Sequence, residues 1–141
     1  VAGSKIANAK SIADLKGAKL GAQVGTTSYA TITDVIKPTQ DAAVFDTNDV
    51  AKQALANGQI DGLVVDLPTA FYITAVDLEN GKIVGQFPAK KGGEQFGLVL
   101  SKGSALTADV SKAVDTLRAN GTLAKIEDQW LAAGASAPVL K

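Results

Sequence analysis

The chain has 141 residues, 14 basic and 14 acidic, with a formal net charge of zero and no His, Cys or Met. Lacking His and Cys, it has no Ser-His-Asp triad, no Cys-His pair, no common structural zinc ligand set and no disulfide framework. Neutral charge without a basic stripe argues against nucleic acid as a partner, and no run approaches the roughly 18 apolar residues that a spanning helix needs.

With 46% apolar residues, this length suits one compact globular domain. A chain that starts at Val1 and holds no Met is expected to be part of a longer translation product. No internal repeat or low-complexity tract is visible.

Val1–Lys10 reads as a linker or frayed strand. Ser11–Gly17 reads as one helical turn, with Ser11 as cap and Gly17 ending it in the left-handed conformation. Lys19–Val24 reads as a strand broken by Gly25-Thr26-Thr27-Ser28. Tyr29–Ile36 carries a helical pattern that stops before Pro38. A strand at Ala42–Phe45 leads through the cap-rich Asp46–Asp49 to a helix at Val50–Ala56, with Val50, Ala54 and Leu55 on one face and an end at Asn57-Gly58. Ile60–Val65 rises into an apolar run, as a strand covered on both faces does. Leu67–Val76 predicts a helix with Pro68 in its first turn.

After the Asn80-Gly81 turn, Lys82–Phe87 predicts a strand, and 88–94 a Gly/Lys-rich connection. Gln95–Ser101 predicts a strong strand. Two helices close the chain. The first, Ala105–Arg118, carries Leu106, Val110, Val114 and Leu117 on one face. The second is capped by Thr122 and carries Leu123, Ile126, Trp130 and Leu131. Strands alternating with helices predict an α/β fold: a mostly parallel sheet with helices on both faces, followed by a strand and two C-terminal helices.

In such sheets ligands bind beyond the carboxyl ends of the strands. Beyond the first strand, Gln23-Val24-Gly25-Thr26-Thr27-Ser28 offers a sharp turn, hydroxyls and free N–H groups at a helix start. That is chemistry suited to an anion, and a plain strand-to-helix turn with Thr26 as an ordinary N-cap is the simpler reading. Beyond the third strand, Asp66 before Leu67-Pro68 can receive an ammonium group or simply cap the next helix. Together the two ends suit a zwitterion such as an α-amino acid. Phe71-Tyr72 reads as core or as a stacking surface, Trp130 as core or interface, Lys90-Lys91 as a solvated loop, and Glu94-Gln95 as a strand edge.

These segments resemble a known family. Ser11 to Thr27, Ala54 to Pro68, Phe96 to Ser104, Leu117 to Thr122 and Ile126…Trp130 are similar, in order and spacing, to the second lobe and C-terminal return of the polar amino-acid-binding proteins of ABC importers (extracellular solute-binding protein family 3). The resemblance implies a lobe of the type II periplasmic binding protein fold. It implies that the turn Gly25, Thr26 and Thr27 holds the ligand α-carboxylate, with Thr27 contributing side-chain and backbone contacts, that Gln23 also touches the ligand, and that Asp66 accepts the α-ammonium. It implies no cofactor, an extracytoplasmic location, and a membrane permease as partner.

The family's first lobe, with its side-chain clamp and its carboxylate-pairing arginine, has no counterpart here, and Arg118, the single arginine, does not match it. On this reading, residues 1–95 form the second lobe with its linker. Residues 96–141 are a hinge strand and helices that would complete the first lobe. Left alone, their apolar faces would pack on the sheet in a new way or pair with another copy, as a homodimer or swapped assembly. Two other functions use the same fold, a dehydratase-like enzyme and the sensing domain of a receptor.

Overall fold

In a computed structural model the described residues are 1–88, 96–132 and 137–141. Three short parallel strands organise the first part of the chain: β1 (Leu20–Gln23), β2 (Ala43–Phe45) and β3 (Gly62–Leu63), in the order β2-β1-β3. Gly21 pairs with Ala43 on one side and with Leu63 on the other.

Side chains alternate across a strand, and β1 uses both faces. Leu20 and Ala22 point into one core cluster with Ile6, Leu15, Ala18, Ile32, Ile36 and Leu140. Gly21 faces the other way, where a Cβ would lie 2.7 Å from Phe45 and 2.9 Å from Ile60. That second cluster is built on Ala54, Leu55 and Ile60. The predicted parallel sheet covered on both faces is therefore present, though its strands are short.

Helix α1 (Thr27–Thr31) continues as a π-helical stretch, Ile32–Ile36, which buries Ile32 and Ile36. The residue before a proline is disfavoured in the α region. Accordingly Lys37, ahead of Pro38, turns left-handed at φ 51° and ends the helix.

Helix α2 (Asn48–Ala56) starts earlier than its apolar pattern predicts, because Thr47 caps it by accepting the Val50 N–H at 3.3 Å. Val50 does not join the buried face. It is half exposed, and Ala51 is buried beside Ala54 and Leu55 instead. Thr47→Ala removes the cap and is expected to lower stability by about 1 kcal/mol, read as a shifted urea midpoint at unchanged slope.

Helix α3 (Leu67–Tyr72), with Pro68 in its first turn, continues as a π-helical stretch, Ile73–Asp77. Lys52 on α2 bridges Asp49 at 2.8 Å and Asp77 at 2.6 Å. These partners, Asp49 first, raise its pKa further above the ordinary lysine value. A raised folded-state value stabilises below the unfolded pKa, so this contribution is complete at neutral pH and fades only in strong alkali.

Several local expectations are corrected. The short turn is the 3-10 stretch Ala13–Leu15 with Ile12, not Ser11, at its N-cap position, although the Ser11 hydroxyl accepts the Asp14 N–H at 3.3 Å. Gly17 does not end it with positive φ. The freed carbonyls are met from elsewhere, Lys16 O by the Thr39 N–H at 2.8 Å and Gly17 O by side chains of Lys5 and Gln40. The opening residues are neither linker nor strand, since they form turns that bury Ile6.

Lys82–Phe87 forms no strand beyond one parallel bridge, Gln86 to Val139. Around that bridge the Gln86 N–H donates to Pro138 O and the Leu140 N–H to Gln86 O, both at 2.9 Å. Gly85 is bare for a reason: a Cβ there would sit 2.7 Å from the Leu140 side chain.

The chain divides into two compact units, Val1–Pro88 with Ala137–Lys141, and Ala89–Ser136, rather than the single domain that its length suggests. The physical reason lies in the second unit, whose described residues include none that is fully buried. Its helices are α4 (Thr107–Ala119) and α5 (Thr122–Glu127), the latter followed by a π-helical stretch, Asp128–Ala132. Thr122 is not the cap of α5. Gly121, with φ 77°, holds the N-cap position, and Asn120 Oδ1 accepts the Thr122 N–H at 3.0 Å.

The predicted strand at Gln95–Ser101 is absent over 96–101, since no described segment pairs with it and a strand exists only through its ladder. Phe96, Leu98 and Val99 are exposed, as are Leu106, Ile126 and Trp130. Lys90, Lys91, Glu94 and Gln95 lie outside the described residues, as does the side chain of Leu131. Among the described residues no helix is long and apolar enough to cross a membrane.

Candidate functional site

All three strands run parallel, so their carboxyl ends lie at one edge of the sheet, the edge at which α/β folds bind ligands. Each end leads directly into a helix N-terminus: Val24–Thr26 into α1, Asp46-Thr47 into α2, and Val64–Asp66 into α3. Between them lies a cavity of about 280 Å³, lined by Gln23, Thr26, Thr27, Ser28, Asn48, Val64, Val65 and Asp66.

Four of the five predicted site residues thus line one cavity: Gln23, Thr26, Thr27 and Asp66. Gly25 does not line it. Its φ of +70° makes the turn that carries the chain from β1 into α1, a conformation costly to residues with a Cβ.

Thr26 is fully engaged in the fold. Its hydroxyl donates to Gln23 O at 2.7 Å and accepts the Tyr29 N–H at 3.2 Å, which makes it the N-cap of α1. The next two residues differ. The N–H groups and hydroxyls of Thr27 and Ser28 have no hydrogen-bond partner among the described residues. They are the donors a carboxylate would meet, beside the positive end of the peptide dipoles.

Gln23 reaches sideways, its Nε2 donating to Asp46 O at 3.1 Å. It thereby ties the end of β1 to the segment that opens α2.

Of the two readings left open by its sequence context, the helix cap is formed. As N-cap of α3 it accepts the Thr69 N–H at 3.2 Å, and the Thr69 hydroxyl at 2.8 Å. Its side chain remains exposed at the cavity. A carboxylate offers about four lone-pair sites, so capacity for a further donor remains.

Val64 and Val65 are half-buried rather than covered on both faces. The apolar run extends past the paired part of β3, where only the Val64 N–H still reaches Gly21 O at 2.9 Å, and its far end forms cavity wall.

Ser28 and Asn48 complete the lining, and of the two only Asn48 was not part of a segment singled out from the sequence. Ser28 was legible as the fourth residue of the turn. Asn48 follows the end of β2, and the strand-end rule applied there points to it directly. Tyr72 on α3 is exposed and is not part of the lining.

No family model matches the chain. It is 33% identical over 130 residues to ABC transporter arginine-binding protein 1 of Escherichia coli K12, with 86% of this chain and 50% of that protein covered. It is 31% identical over 132 residues to the L-arginine-binding protein of Pseudomonas aeruginosa, with 84% and 48% covered. Other homologues are named as histidine- and cystine-binding proteins. The solved structure of an ancestral arginine-binding protein bound to glutamine superposes with a TM-score of 0.61 at 30% identity, covering 88% of this chain and 54% of the other. The chain spans about half the length of these relatives, and the resemblance read from its sequence is the one the comparisons find.

Proposed function

We propose that this homologue of ABC-transporter amino-acid-binding proteins contributes one half of an amino-acid site, without catalysis. The observation that carries the reading is the single cavity that holds both free donors, Thr27 and Ser28, and the open carboxylate of Asp66. A ligand α-carboxylate fits the donors, and its α-ammonium fits Asp66. Gly25 and Thr26 shape the turn, and Gln23 braces it.

In the whole protein the ligand lies between two lobes that close by hinge motion. The closed form then meets a membrane permease on the extracytoplasmic side, as a secreted or membrane-tethered component. Residues 96–132 complete the other lobe, which accounts for the exposed Phe96, Leu98, Val99 and Trp130. Expressed alone, those surfaces favour pairing with a second copy.

The test is an amide-resolved NMR titration of the chain with L-arginine and with L-histidine. Shifts should concentrate on residues 23–28, 48 and 64–66. The fitted dissociation constant should be on the order of millimolar, since half the contacts of a two-lobed site are absent. Scattered or absent shifts overturn the reading, and micromolar affinity contradicts the half-site.

A further inference from the structure

The cavity has a third wall, and it carries an unmet hydrogen bond. Asn48 is the first residue of α2, and it lines the cavity with Thr27 and Asp66. Its Oδ1 is shut off from solvent and finds no donor among the described residues, the one side-chain atom found in that state there. A buried acceptor without a partner is unfavourable and seldom left so. The neighbouring polar groups do not relieve it. Among the nearby donors, Gln23 Nε2 is held on Asp46 O and the Thr69 hydroxyl on Asp66. The brace from Gln23 ties the segment that opens α2 to the end of β1.

We propose that Asn48 is a ligand-contacting, specificity-determining residue, whose amide turns into the cavity so that Oδ1 accepts an N–H from the side chain of the bound amino acid. This inference rests on the reading of the cavity as an amino-acid site. Thr27, Ser28 and Asp66 take the α groups, which every amino acid shares. Beyond these, Asn48 is the lining residue with a buried acceptor that has no donor among the described residues. The ligand class it selects carries side-chain N–H groups, as in a guanidinium, an imidazole or a primary amide, over aliphatic side chains.

The experiment titrates the full chain and its Asn48→Ala variant with L-arginine and with L-alanine, followed by amide shifts. Alanine probes the α-group contacts alone. In the parent chain L-arginine should bind more tightly than L-alanine. Asn48→Ala should weaken L-arginine about fivefold, the effect of one net hydrogen bond, and leave L-alanine unchanged. Equal weakening of both ligands would mean that Asn48 only shapes the fold, and no weakening would mean that it touches nothing; either result overturns the inference while the amino-acid site stands. If neither ligand moves residues 23–28 and 64–66 of the parent chain, the underlying reading fails and takes this inference with it.

Discussion

Leu140→Ala should lower the unfolding free energy by about 3 kcal/mol, within the range for a leucine truncated in a packed core. Leu140 is 2% exposed and belongs to the cluster of Ile6, Leu15, Leu20, Ile32 and Ile36. Its removal leaves a void between that cluster and Gly85, which has no side chain to fill it. Val139, its neighbour, is 47% exposed, so Val139→Ala should change stability by less than about 0.5 kcal/mol. Urea unfolding of the two variants beside the parent decides the matter, and equal effects would remove Leu140 from the core.

The second large effect concerns Asp66, where two roles can be separated. Asp66→Asn keeps an oxygen to accept the Thr69 N–H, and asparagine caps helices about as well as aspartate. Stability should therefore stay within about 0.5 kcal/mol of the parent. The negative charge is gone, and a hydrogen bond to a charged group contributes about 1.5–3 kcal/mol. Affinity for L-arginine should fall by roughly tenfold or more. Unchanged affinity in the NMR titration would show that Asp66 is a cap and nothing else.

What was legible in the sequence was local. The turn at Gly25, the caps at Thr26 and Asp66, and the apolar periodicity of α1 and α3 all depend on residues within a few positions of each other. From them came the strand ends, and the pairing of β1 with β3 brings those ends to one cavity. Contacts between distant segments were not legible. Nothing near Ile6 or Leu140 announces that they meet in one cluster, because neither sits in a regular element whose period would reveal a buried face.

Phe96–Leu100 misleads for the opposite reason. Its composition is that of a strand, but a strand is a property of two segments, and the described residues supply only one. Asn48 was not legible because it sits among cap-type residues that a helix start explains by itself, while the cavity is walled by all three strand ends.

Leu140 also orders events in time. The segment that seals the first unit's core comes after the whole of the second unit in the chain. A growing polypeptide therefore makes β1, β2, β3 and their helices well before the residue that closes one face of their sheet. Until then Ile6, Leu15 and Leu20 lack a neighbour, and Gln86 lacks its partner backbone. Closure is a long-range event and accordingly slow. The unit becomes fully protected only when synthesis has passed Leu140, so nascent chains that stall earlier are the ones most open to proteolysis and aggregation.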